Sequence, residues 1–160
     1  MSQILLLRVG ILAFMDDEAR EHLAPYGKIV ATKPGQVIIR EGEAGAGFFI
    51  VLSGNFDITT AQEVFLDTLA EGDCVGEVAV FEPGVASATV TSKDAGRLWH
   101  IEEEALQQYL LDWPHAGCAL VLGIDTLLSR RLRRATDVIK ANEIVPVFLS
   151  VRSRKRGAGG

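Results

Sequence analysis

The residues best suited to chemistry lie between 76 and 90, in the stretch "GEVAVFEPGVASATV". Gly76, Glu77, Val78 and Ala79 can close one helical turn after the turn signal "EGD". The free N–H groups opening such a turn point at an anion. A carboxylate at Glu77 would repel a phosphate there, and makes sense only as an acceptor for a sugar hydroxyl. Ser87 and Ala88, which open the next β-prone run, add an N–H and a hydroxyl. The stretch holds neither lysine nor arginine. The same residues also suit a tight corner between strands, with Glu77 capping the turn or solvated. Residue types alone leave both readings open.

Other chemistry finds less support. His22, His100 and His115 share no ligand spacing such as HxH or HExxH. No serine sits in a GxSxG elbow, and neither cysteine has a sequence partner marking it as a nucleophile. An enzyme, a metal site and a bound cofactor are therefore not expected. The run "GEAGAG" at 42–47 lacks the GK[ST] ending of a phosphate loop and falls between two strands, so it reads as a glycine-rich hairpin loop. Cys74 and Cys118 form no CxxC and are expected as buried, reduced thiols.

The elements that must position these residues follow from the patterning. Residues 2–9 and 16–25 read as two short helices, with Asp16 as the N-cap of the second and Asp17 and Glu18 in its first turn. From Lys28 to Ile101, "KIVAT", "QVIIR", "FFIVLSG", "NFDITT", "EVFLDTLA", "SATVTS" and "RLWHI" alternate with turn signals. Short strands at that spacing predict an antiparallel barrel or jelly roll, with a hairpin reversing at Ser53-Gly54. Beyond Ile101 the period becomes helical, first with Leu106, Tyr109 and Leu110 on one face, then in a long helix opening at Pro114. Val121, Ile124, Leu128, Ala135 and Val138, widened by Leu120, Leu127 and Leu132, make a stripe too broad for one partner. One face is expected on the barrel and another against a second copy of the chain. The fold class is thus mainly β with flanking helices: one domain over 1–142, its barrel over about 28–101 and its C-terminal helices over about 103–141. Residues 143–160 are expected as a C-terminal segment, one short apolar run followed by the basic, glycine-rich "RSRKRGAGG", with about the last eight residues a disordered tail.

Bulk properties narrow the function. The chain has 160 residues, net charge −5 and 48% hydrophobic residues, with a mean hydropathy of +0.22. That length buries roughly two thirds of the unfolded surface. The acidic balance argues against general nucleic-acid binding. No apolar run approaches the ~18–20 residues of a membrane span, and Arg8, Asp16, Asp17 and Glu18 break the apolar start. A cytoplasmic location is expected.

Taken in order, these pieces resemble the cyclic-nucleotide-binding domain of bacterial CRP/FNR-type regulators, kinase regulatory subunits and gated channels. "PGQVIIREGEAGAGFFIVLSGNFDI" is similar to the family's strand–turn–strand opening, with Gly35, Gly42, Glu43 and Gly54 in place. "LAEGDCVGEVAVF" resembles the approach to its phosphate-binding cassette, and "SATV" with "RLWHIEEEAL" the cassette exit. The resemblance covers roughly Leu5 to Asn142. It implies that Glu77 holds a ribose 2′-hydroxyl and that backbone amides near Gly76, Val78, Ser87 and Ala88 hold the cyclic phosphate. Thr136 falls where family members contact the base.

Two departures stand out. Where nucleotide-binding members place an arginine for the phosphate, this chain has Ala86. A hydrogen bond to a charged group contributes roughly 1.5–3 kcal/mol, so cyclic AMP or cyclic GMP is expected to bind roughly ten- to a hundredfold more weakly. Arg130, Arg131, Arg133 and Arg134 offer replacement cations, or simply a solvated basic face. Secondly, no helix-turn-helix pattern follows the long helix, so specific DNA binding is not expected and a signal would pass through a protein partner. Two functions remain: a regulatory sensor for a cyclic nucleotide or similar small ligand, or a degenerate homologue serving as an interaction and dimerisation module. In either, the long helix is expected to form a homodimer.

Overall fold

The computed structural model describes residues 4–77 and 84–141. The chain divides into two compact units, Met1–Leu127 and Leu128–Gly160. The tail expected at 143–160 lies outside the described residues.

The first unit is built on eight antiparallel strands: β1 (Lys28–Thr32), β2 (Val37–Ile39), β3 (Phe48–Ser53), β4 (Phe56–Thr59), β5 (Phe65–Leu69), β6 (Cys74–Val75), β7 (Thr89–Ser92) and β8 (Gly96–Ile101). They form two four-stranded sheets, ordered β1-β8-β3-β6 and β2-β7-β4-β5. Between the sheets lies an apolar cluster of Ile39, Phe49, Val51, Phe56, Leu69, Val90 and Leu98, drawn from both. Alternate residues of a strand face opposite ways, so Phe48, Ile50 and Trp99 fill the other side of the first sheet, and all three are buried. That sheet is covered on both faces, which explains why "FFIV" is apolar without alternation.

The second face is covered by helical segments. A 3-10 turn (Gly10–Phe14), α1 (Asp17–Leu23) and a second 3-10 turn (Ala24–Tyr26) precede β1, and α2 (Glu103–Asp112) follows β8. Trp99 Nε1 donates to the Ala24 carbonyl at 3.2 Å, and Tyr109 Oη donates to the Ala19 carbonyl at 3.1 Å. α1 starts where the capping chemistry dictates: Asp16 Oδ1 accepts from Ala19 N at 2.8 Å. Asp16→Ala is expected to lower stability by about 1 kcal/mol, read from urea denaturation midpoints.

Three expectations need correction here. Residues 4–9 are not helical. Leu6 is 2% exposed while Leu5 and Leu7 are 69% and 51% exposed, an extended alternation, and Gly10 takes a left-handed φ of 55° where its backbone meets Gly72. Ser53-Gly54 does not reverse a hairpin, because β3 and β4 belong to different sheets. Gly54, at φ 86°, turns the chain from one sheet to the other, fastened by Asn55 N and Nδ2 donating to Asp94 at 2.9 and 3.0 Å. The tight hairpin is instead β4–β5, closed by Thr60 N on the Val64 carbonyl at 2.9 Å. Thirdly, Cys74 is buried but Cys118 is exposed.

The long helix α3 (Pro114–Ala141) opens at the expected proline. It contributes 114–127 to the first unit and 128–141 to the second. In the first unit its buried face is Gly117, Leu120, Gly123 and Ile124. That face meets the N-terminal 3-10 turn, since a Cβ on Gly123 would overlap the Ile11 carbonyl. At Gly117 the same face meets Leu110 of α2.

Candidate functional site

The site is framed by one loop and the two chain segments it grips. Residues 42–47 cross from β2 in one sheet to β3 in the other, so "GEAGAG" is a crossover and not the hairpin expected from its glycines. At one end, Gly42 N donates to the Ala86 carbonyl at 2.8 Å and Ala86 N to the Glu43 carbonyl at 2.9 Å. An isolated bridge joins Ala44 to Val85. At the other end Gly76, at φ 84°, lies so close to the Gly47 carbonyl that any Cβ would overlap its oxygen. His100 Nε2 bonds the Ala46 carbonyl at 2.6 Å while its ring stacks on Phe49 at 4.4 Å, which steadies the loop's far end from β8.

The loop therefore brings Gly76-Glu77 and Ala86-Ser87-Ala88 into one frame. Glu77 is buried, at 6% exposure, which excludes the solvated alternative for its carboxylate. Ala86 is half-buried and packs, with Ile38, Ile58 and Val75, against the cluster between the sheets. Its methyl group adds to an apolar wall, and its amide is spent on Glu43. Ser87 is exposed and Ala88 half-buried. Val78 and Ala79 lie outside the described residues. Thr136 is in the second unit, where its hydroxyl donates to the Leu132 carbonyl one turn back at 2.9 Å. Among the described residues, no group of three or more His, Cys, Asp or Glu is disposed to hold a metal ion.

A profile of the cyclic nucleotide-binding domain matches residues 29–112. The chain belongs to this family. Its relatives include the CRP-like cAMP-activated global transcriptional regulator of Mycobacterium tuberculosis, 27% identical over 83% of this chain and 59% of that protein. The cAMP-dependent protein kinase regulatory subunit of Yarrowia lipolytica is 34% identical over 66% of this chain and 28% of its own length. The chain thus spans little more than half of the mycobacterial relative. Among solved structures, the N-terminal domain of a Streptomyces coelicolor transcriptional regulator is 26% identical, with a TM-score of 0.65 over 85% of this chain and 95% of that one. A cyclic nucleotide-binding domain from Methylobacillus flagellatus shares the fold at a TM-score of 0.75 and 20% identity, over 83% of this chain and 77% of its own. Relatives also include the cGMP-dependent protein kinase of Plasmodium berghei, 32% identical over 55% of this chain and 10% of its own length. No helix of the described residues is long and apolar enough to cross a membrane.

Sequence reasoning singled out Glu77 and Ala86 but missed the 42–47 crossover as the part that aligns them. Its density of glycines was the available signal, and Gly47 and Gly76 are adjacent in space because β3 pairs antiparallel with β6 in one sheet, Phe49 opposite Val75.

Proposed function

We propose that this domain is a regulatory sensor that binds a small ligand beside Glu77 and passes its occupancy to a protein partner. The observation that carries this reading is the burial of the Glu77 carboxylate next to the Gly47–Gly76 contact. A buried carboxylate in a corner of glycine backbone can take hydrogen bonds from a ligand hydroxyl, and backbone near Gly76, Ser87 and Ala88 lines the same frame. The cAMP-linked names of the relatives support a nucleotide-like ligand. Ala86 removes the cation that would anchor a cyclic phosphate, so cyclic AMP and cyclic GMP bind weakly. Ligand and partner act on one another only if each prefers one of two conformations.

Calorimetric titration with cyclic AMP and cyclic GMP tests this directly. Weak heats are expected for the wild type, with a further loss of about tenfold or more in Glu77→Ala. Equal binding by the variant would remove Glu77 from the site.

A second reading is favoured by a different observation. Leu110, Pro114, Gly117, Cys118, Val121 and Leu122 line an open apolar groove of about 550 Å³ between α2 and α3, with Leu122 56% exposed. Such a surface suits an interaction and dimerisation module working through the long helix. A monomer in sedimentation at micromolar concentration would overturn the dimer.

A further inference from the structure

Among the described residues, no strand lies beside the outer edge of β5 (Phe65–Leu69), because its sheet runs β2-β7-β4-β5. Beyond a register shift at Ile58 and Thr59, Asp67, Thr68 and Leu69 pair regularly with β4, so alternate backbone groups of β5 point outward. Exposed edges are commonly protected by lysine or proline. Residues 60–73 hold neither, nor any arginine. The edge opens instead with Val64, Phe65 and Leu66, which are 57%, 59% and 53% exposed. The same stretch carries four carboxylates, Glu63, Asp67, Glu71 and Asp73. Glu63 and Glu71 are exposed, and neither is in an ion pair among the described residues. Glu63 stands at φ 62°, in the left-handed region, where glycine is the least strained residue. Its N–H closes the turn on the Thr60 carbonyl at 2.9 Å, which a glycine would do as well. Glutamate adds a charge at the tip of the hairpin. Glu41 ties that tip to the start of the 42–47 crossover, since its Oε2 accepts from Ala61 N at 2.6 Å.

We propose that the β5 edge docks an extended segment of a partner protein, one that alternates apolar and basic side chains. An unpaired strand edge offers a row of backbone donors and acceptors, which another extended backbone matches and a compact ligand does not. Val64, Phe65 and Leu66 give such a segment apolar contact, and pairs of aromatic and β-branched residues across strands are favourable. The carboxylates set its charge. A second copy pairing through the same edge would bring like charges together, which destabilises a strand pair. A nucleic acid would be repelled through its phosphates. Basic residues on the incoming strand meet no such repulsion and speed the encounter. The proposal supplies the partner surface that the sensor reading calls for. Its test uses no small ligand, so its failure leaves the Glu77 reading standing.

Fluorescence anisotropy on the full chain measures binding of a labelled peptide, KVKVKVKV. The comparison peptides are EVEVEVEV and a fully N-methylated KVKVKVKV, which keeps the charge and loses every backbone donor. The wild type is expected to bind KVKVKVKV, with each comparison peptide about tenfold or more weaker. Phe65→Lys, which puts a cation on the edge, should weaken KVKVKVKV by about tenfold or more. Its urea midpoint should stay near that of the wild type, because Phe65 is exposed. Glu63→Gly should raise the midpoint and still weaken KVKVKVKV a few-fold. A purely structural role for Glu63 would not move the two in opposite directions. Equal binding of the N-methylated and unmodified peptides overturns the proposal, since charge alone then holds the peptide. No binding of KVKVKVKV by the wild type overturns it too. So does a dimer in sedimentation that Phe65→Lys dissociates, which would give the edge to a second copy.

Discussion

Gly123→Ala is expected to destabilise the protein by about 3 kcal/mol or more, opposite in sign to what helix propensity gives. In the interior of an exposed helix the same change adds about 1 kcal/mol of stability, because alanine loses less backbone freedom than glycine. At Gly123 the new Cβ would overlap the Ile11 carbonyl oxygen and lie 2.8 Å from its carbon and 3.0 Å from its Cα. These are backbone atoms, so no rotamer change relieves the clash, and either α3 or the 3-10 turn at Gly10–Phe14 must move. Leu120 and Ile124, 1% and 2% exposed on the same face, would lose contact as it moved, and burying each such side chain is worth about 1.5–3 kcal/mol. Overlap and lost burial together exceed the propensity gain. Urea denaturation of wild type and variant decides the matter: a higher midpoint for Gly123→Ala would mean that helix and turn are not in close contact in solution.

Such close contacts mark the boundary of what the sequence discloses. β1 is the predicted "KIVAT" residue for residue, α3 begins at Pro114 and Asp16 caps α1, because strand propensity, proline geometry and capping are decided within a few neighbours. The switch of sheets at Gly54 was read as a hairpin because "SG" suits both, and the outcome depends on β3 pairing with β6 and β8. Leu5-Leu6-Leu7 suits a helix by composition, yet Gly10 meets Gly72, far along the chain, and that contact favours the extended form. β6 is two residues long and lies among turn residues, too short to show a period. The candidate site divides in the same way. Glu77 and the alanine at 86 are legible as residue types. The burial of Glu77, the apolar packing of Ala86 and the crossover that grips both depend on which strands lie in which sheet, and no local pattern encodes that.

Trp99→Ala should have the largest effect of any single truncation, a loss of about 3–5 kcal/mol. Trp99 is 0% exposed and stands on β8 between β1 and β3, paired with Ile29 and Ile50. Its ring fits because Gly27 has no side chain; a Cβ there would come within 2.5 Å of Cε2 and Cζ2. Removing the indole leaves a cavity over Gly27 and strips the Ala24 carbonyl of its donor, an unsatisfied buried group that itself costs about 1–3 kcal/mol. Trp99→Phe keeps much of the volume and loses only the hydrogen bond, so it should fall between wild type and Trp99→Ala. Because neighbours on a strand face opposite ways, His100 is on the other side of β8, stacked on Phe49 and bonded to Ala46. Loosening β8 at Trp99 therefore also frees the crossover that holds Gly76 and Ala86 in register. Ligand affinity should then fall in Trp99→Ala by more than its folded fraction explains, while Trp99→Phe binds nearly as wild type. Denaturation midpoints and titration of the same samples separate the two effects. A stability loss below about 1 kcal/mol would show that the helical segments dock on the sheet without the indole.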